Sequence, residues 1–349
     1  MTSTQIAKIH QAFVEQAVQC RAAGSPMTAD ILTALIDALD DSTKTGRAIL
    51  QWRGDPLVDA LMMRIAGGLN ALARSGHDAE LTALYAAREI DFTAVFRRII
   101  PAFDDWLLRW LDGPPQTNEV ARSAMLWPGL MAISEQFGAD IELLELGSSA
   151  GLNLNLDRFS YQLGGIAAGD QNSNVQLAPI WQGAAPRAAA VNIVARAGVD
   201  QNPLDLSQPD VRERLLAYVW PDQDLRLSRI AAAIEIAERF PPEVVKGDAE
   251  RWIGAQLQRP QRSGVTRVVF HSIVLQYLSV SGRAQVVAAL DDAGSRATSE
   301  RPLAWLSMEF HAKVPTAELR LTCWPGGKTR HLANCHPHGA VIDWLGNGA

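Results

Sequence analysis

Cysteine is scarce in this chain, and what there is does not pair. Cys20, Cys323 and Cys335 form no CxxC unit, and 3 cysteines cannot all be bridged, so a disulfide scaffold is excluded and a reducing compartment is expected. Long apolar runs are missing too: no stretch of about 18 uninterrupted apolar residues exists, which excludes a spanning helix by the usual length rule. The opening residues MTSTQIAKIHQAFVEQ carry charge and Gln where a signal peptide is apolar. The expectation is a cytoplasmic protein with no membrane partner. A basic excess is also lacking: 32 Lys and Arg against 38 Asp and Glu leave a formal charge of −6, which argues against a broad nucleic-acid footprint. The motif GxGxxG is absent, and a nicotinamide dehydrogenase is disfavoured with it.

What the chain does have is enough apolar material for a core. At 349 residues and 48% apolar it can bury a sizeable interior, in two domains or one enlarged one. Up to residue 138 the apolar residues recur at helical spacing: Ile6, Ile9, Phe13, Ala17; Ile31, Leu35, Leu39; Leu57, Leu61, Ile65, Leu69; Phe92, Phe96, Ile99, Ile100. Breaks fall at AAGSPM, RGDP, SGHD and DGPPQTNE. In the last of these Thr117 is placed to cap a helix running toward Phe137, with Asn118 and Glu119 in its first turn.

From residue 139 onward short apolar runs alternate with helical stretches, the pattern of βαβ units and a mainly parallel sheet. The expected fold is therefore α/β, a helical N-terminal domain (1–138) followed by a Rossmann-like domain (139–349). Strands are expected at 141–146, 191–195, 244–246, 268–270 and 303–308. Two more, at 319–324 and about 329–334, join through PGGK into a hairpin, giving about seven. Helices are expected over 225–240, where Leu227, Ile230 and Ile234 share a stripe, and after Ser281.

The first strand ends in ELGSSAGLNLN. Gly147, Ser148, Ser149, Ala150 and Gly151 read as a strand-to-helix elbow whose small side chains let a ligand approach the backbone. Open α/β sheets bind ligands beyond the carboxyl ends of their strands, so the other ends matter as well. AGVDQNP places Asp200 where a carboxylate can accept from a ribose diol, VVKGDAERW places Asp248 where one can accept from an exocyclic amine, and VVFHSIVLQYLS places His271 and Ser272 beside a pocket. Each acid alone also suits an N-cap or a turn.

The serial order of these motifs resembles the class I S-adenosylmethionine-dependent methyltransferases. The resemblance implies that Glu145, Gly147, Ser148, Ser149, Gly151 and Asn153 surround the methionine part of S-adenosylmethionine, that Asp200 holds the ribose, that Asp248 contacts the adenine, and that His271 also borders the cofactor. Ser149 stands where the family's turn often has glycine, and Gly151 lies much farther from Asp200 than a short helix requires, so residues 159–190 read as an insertion. If FSYQL were the second strand instead, Asp170 would replace Asp200. More narrowly, QTNEVAR, SSAGLNLNLDRF, AGVDQNPLD, VWPDQ, KGDA and CHPHG together resemble the uncharacterised family catalogued as domain of unknown function 2332, over nearly the whole chain.

Methyl transfer asks little of the protein beyond alignment, exclusion of water and acceptance of a proton. His271 is a candidate for that proton, with a structural strand-end histidine as its alternative. Tyr277 joins it as a catalytic candidate. Gln276, Asn118, Glu119 and Arg122 are candidates for holding a small-molecule acceptor, and a capped, solvated helix is the alternative for the last three. Cys335, His336 and His338, with His331 and Cys323, raise a zinc reading whose spacing fits no repeatable ligand set, so no metal is expected. GSSAG also fits GxSxG, with Ser149 as a hydrolase nucleophile, but that elbow normally follows earlier strands and only helices precede it here. A non-catalytic S-adenosylmethionine or nucleotide binder completes the set.

Overall fold

The computed structural model describes residues 3–87, 91–311 and 316–346. The chain divides into two compact units, one made of the residues up to Thr117 together with Gln208–Ser228, the other of Asn118–Ser207 and Arg229 onward.

The first unit is helical. Helices Ser3–Ala22, Pro26–Ala38, Leu61–Ser75 and Phe92–Ala102 bury the stripes their spacing announces: Ile9 and Phe13, Ile31 and Leu35, Ile65 and Leu69, Phe96 and Ile99. Leu57, which the spacing puts at the head of the third stripe, lies exposed before that helix begins. The returning segment is bound by specific contacts. Asn70 Nδ2 donates to the carbonyls of Ala217 and Val219, both at 2.9 Å, and Tyr218 meets Trp110 edge-on at 5.5 Å.

The second unit carries strands β1 (Asp140–Leu146), β2 (Ser160–Leu163), β3 (Ile166–Gly169), β4 (Gln176–Leu177), β5 (Ile180–Gly183), β6 (Asn192–Asp200), β7 (Val244–Lys246), β8 (Thr266–Ser272), β9 (Leu303–Glu309), β10 (Ala317–Trp324), β11 (Lys328–Cys335) and β12 (Val341–Trp344). Among the described residues the main sheet has nine strands, in the order β5-β12-β11-β10-β9-β8-β1-β6-β7, where about seven are expected from the sequence. The two extra strands are β12, which follows the CHPHG segment and pairs antiparallel with β11, and β5, which comes from the insertion and runs parallel to β12. The insertion also builds a small separate sheet, β3-β2-β4. FSYQL is therefore a strand, β2, but not the neighbour of β1; that neighbour is β6.

Strands β7, β6, β1, β8 and β9 are mutually parallel. Numbered along the chain, these five stand in the doubly wound order 3-2-1-4-5, in which the chain reverses direction across the sheet between β1 and β8. β8 is buried along its entire length, as a central parallel strand covered on both faces must be. On one face Leu144, Val199 and Val269 pack with Ile253, Val286 and Leu290 of helices Ala249–Leu257 and Val280–Ser295. On the other lies helix Ser123–Phe137, where a Cβ at Gly129 would come within 2.6 Å of the Leu306 side chain. This helix belongs with the sheet, although it precedes the expected boundary at 138.

Thr117 does not cap that helix. A short 3-10 turn, Val120–Arg122, leads into it, and the Glu119 side chain caps the turn by accepting from the Ala121 amide. The elbow after β1 likewise leads into a seven-residue 3-10 segment, Leu152–Arg158, rather than an α-helix. Leu152 through Leu156 are all buried, and Asn155, at φ −97° and ψ 19°, departs from helical geometry inside the segment.

Candidate functional site

Glu145 sits on β1 opposite Gly198 of β6 and Phe270 of β8. It is only 3% exposed, and its Oε2 has no hydrogen-bond partner among the described residues. Burial pushes its carboxyl well above the usual carboxylate range; the Ser148 hydroxyl opposes this, the Asp200 charge adds to it and Arg122 opposes it. A buried polar oxygen left without a partner costs free energy, and such groups mark functional positions.

The elbow that follows is tied inward. Gly147, Ser149 and Gly151 all have positive φ, at 67°, 54° and 73°. The Ser148 amide donates to Val199 O at 3.0 Å, the Ser149 amide to Asp200 Oδ2 at 2.8 Å, the Gly151 amide to Ser148 O at 2.7 Å and the Leu152 amide to Asn118 Oδ1 at 2.9 Å. Four of the amides expected to face a ligand are thus used within the protein. The glycines are explained by packing as well: a Cβ at Gly147 would lie 2.6 Å from Val274, and one at Gly151 would lie 2.7 Å from Pro242 and Val244. Asp200 closes the elbow onto β6, its Oδ1 also accepting from the Asn202 amide at 2.8 Å. Asp170 lies instead beside the small sheet, with its Oδ1 accepting from the Asn172 amide.

The residues of QTNEVAR join this end of the sheet. Asn118 and Glu119 are buried, and Arg122 Nε donates to Pro337 O at 2.8 Å while its Nη1 donates to Ser272 O at 3.0 Å. One guanidinium thereby clamps the end of β8 to the CHPHG segment. Asn153 accepts from Ser123 Oγ at 2.8 Å and donates to Glu119 O at 3.4 Å. The fold thus brings together Asn118, Glu119, Arg122, Glu145, Ser148, Ser149, Asn153 and Asp200.

The remaining candidates stand apart. His271 is fully buried, and both ring nitrogens are engaged: Nδ1 with Glu309 Oε1 at 2.6 Å, and Nε2 as acceptor from the Trp305 indole N–H at 2.9 Å. Because the indole can only donate, Nε2 is bare and Nδ1 carries the proton. The geometry is that of a strand-locking histidine with no lone pair turned to a ligand. Glu309 ends β9, one residue past the run expected as that strand. Burial would raise its carboxyl, but the bonds from His271 and from the Val274 and Leu275 amides outweigh that and hold it below the ordinary value. Asp248 is the N-cap of helix Ala249–Leu257, with its side chain 44% exposed and 3.8 Å from Arg251. Gln276 and Tyr277 lie exposed on a short 3-10 turn, Tyr277 at 78%.

Burial drives the Cys323 thiol to about 11 and Cys335 to about 12, poor values for thiolate ligands. Among the described residues no three of His, Cys, Asp and Glu converge as a metal would need. Ser149 Oγ is buried and has no hydrogen-bond partner among the described residues. Beside the elbow lies a cleft of about 400 Å³ walled by Ala150, Pro203, Leu204, Leu206, Pro242 and Val244. No described helix is long and apolar enough to cross a membrane.

Among curated proteins and among solved structures nothing matches this chain. A sequence model of one family, however, spans residues 10–344, which takes in the helical unit, the elbow, the insertion and the closing strands alike, so the chain belongs to the family described as uncharacterized protein conserved in bacteria (DUF2332).

Proposed function

We propose that the carboxyl end of the parallel core binds S-adenosylmethionine and that the chain is a methyltransferase acting on a small-molecule acceptor. The observation that carries this reading is Glu145: a buried carboxyl with an unpartnered oxygen, at the point where the doubly wound sheet reverses direction. An ammonium group is the complement that such an oxygen lacks. Asp200 spends one lone pair of each oxygen on backbone amides and keeps others for hydroxyl donors of a ribose. The proline and leucine walls of the neighbouring cleft suit the flat apolar faces of a base, and Asp248, at the end of β7, is the acid for an exocyclic amine. When bound, S-adenosylmethionine supplies a methyl carbon already activated on a sulfonium. The chain's own part is to hold the acceptor in line, keep water out and receive a proton.

Calorimetric titration with S-adenosylmethionine, its demethylated product and NAD tests the reading. Binding of the first two but not NAD is expected. Glu145→Gln should weaken that binding roughly tenfold or more, since bonds to an ionised group contribute about 1.5–3 kcal/mol. A folded wild type that binds neither compound rules the proposal out. Binding without release of the demethylated product across a range of acceptors leaves a non-catalytic binder.

A further inference from the structure

The CHPHG segment between β11 and β12 carries two histidines, and the fold treats them differently. His336 Nδ1 accepts from the His338 amide at 3.2 Å, so that nitrogen is bare. Burial pulls the His336 imidazole below its ordinary value, with His338 adding to the effect and Glu119 opposing it. His338 instead turns its Nδ1 to the Glu119 carboxylate, 3.6 Å away, where Glu119 is 3% exposed and the His338 side chain 43% exposed. The segment is anchored at two points. Arg122 holds the carbonyl of Pro337, between the two histidines, and Gly339, at φ 70°, lies so close to the Val120–Arg122 turn that a Cβ would sit 2.4 Å from Ala121 O. Among the described residues Glu119 lies 3.6 Å from His338 and the His336 ring 5.7 Å from it, while Arg122 holds the Pro337 carbonyl between the two histidines. Arg229 acts on Glu119 in turn, its guanidinium pulled down by burial and supported by the Glu119 charge.

A buried carboxylate 3.6 Å from one nitrogen of a half-exposed imidazole, longer than a hydrogen bond but within ion-pair reach, is placed to stabilise that ring once it has taken a proton. We propose that Glu119 and His338 are the acid–base pair of this site, and that the acceptor it takes carries an ionisable O–H or N–H. This rests on the methyltransferase reading. The acceptor's proton passes to His338 Nε2 as its lone pair forms the bond to the methyl carbon. The methyl–sulfur bond breaks with its electron pair remaining on sulfur, and Glu119 balances the imidazolium. Arg122 links the pair to the rest of the site, because the guanidinium that anchors Pro337 also binds the end of β8 and acts on Glu145.

Diethyl pyrocarbonate, which acylates bare imidazole nitrogens, tests the pair without any acceptor. Wild type is treated at pH 8, where solvent-exposed histidines are mainly neutral, and the modification rate of each histidine is followed by mass spectrometry. His338 should react several-fold faster than the exposed His10 and His77, despite its partial cover, and Glu119→Gln should bring it down to their rate. A His338 no faster than those two in wild type overturns the pair, with no variant needed; so does an unchanged rate in folded Glu119→Gln protein. Titration of the same wild-type sample with S-adenosylmethionine separates the two readings. Fast His338 with no binding keeps the pair as an acid–base group and removes the methyl donor; binding with an ordinary His338 does the reverse.

Discussion

Glu145 is under two opposed demands, and pH separates them. Burial raises its carboxyl above the ordinary value of 4.5, so between that value and its folded one the folded chain holds more protons than the unfolded chain. Stability must then fall as pH rises through that window. Glu145→Gln removes the titration. The variant should match wild type near pH 4, where the native carboxyl is protonated, and exceed it at neutral pH by about 1–3 kcal/mol, the cost of a buried polar group without a partner. Thermal melts of both proteins from pH 4 to 8 check this. A variant less stable than wild type at pH 7 would mean that Oε2 is satisfied and the vacancy read at the end of β1 does not exist. A stabilised variant that also loses cofactor affinity would have the stability–activity trade-off characteristic of a binding site.

The elbow between β1 and the Leu152–Arg158 segment is governed by its neighbours, and this too is measurable. Gly147→Ala puts a Cβ 2.6 Å from Val274 at a backbone angle side chains rarely adopt, so a loss of about 1–3 kcal/mol is expected without any ligand present. Val274→Ala should recover the steric part of that loss in the double variant; full additivity by denaturant titration would show that the two positions do not meet. The strands at Ile141 and Val244 were readable because each is a short apolar run. The run expected as β6 stops at Ala195; in the fold the strand continues through Arg196 to Asp200, with the Arg196 guanidinium on Asp157 at 2.7 and 2.8 Å. β12, four residues after a histidine-rich loop, gave too short a run to notice. The strand-end rule points to Glu145 and Asp200 as candidates but stops one residue short of Glu309, the side chain that locks His271. No spacing rule could pair Glu119 with His338, because only the closing segment brings them together.

The helical unit is not one continuous stretch of chain. A fragment ending at Thr117 leaves the Asn70 amide without the carbonyls of Ala217 and Val219, and Trp110 without Tyr218. Ser25 and the Met27 amide also lose Asp222, which accepts from both. The unsatisfied Asn70 alone should cost about 1–3 kcal/mol. Residues 3–117 are therefore expected to melt broadly and without cooperativity by circular dichroism, and the same fragment joined through a flexible linker to 208–228 to melt sharply. Equal melting of the two would show that the returning segment contributes nothing. The same division has a consequence for how the chain is made. Synthesis runs from the N-terminus at about 5–20 residues per second, so roughly ten seconds separate Thr117 from the last residues the helical unit needs. Over that interval β1 to β6 emerge, while β7 to β12 are still to come. A ribosome stalled anywhere between Thr117 and Gln208 thus displays two unfinished interiors at once, and neither unit can shelter its apolar surface until the nascent chain has passed Ser228.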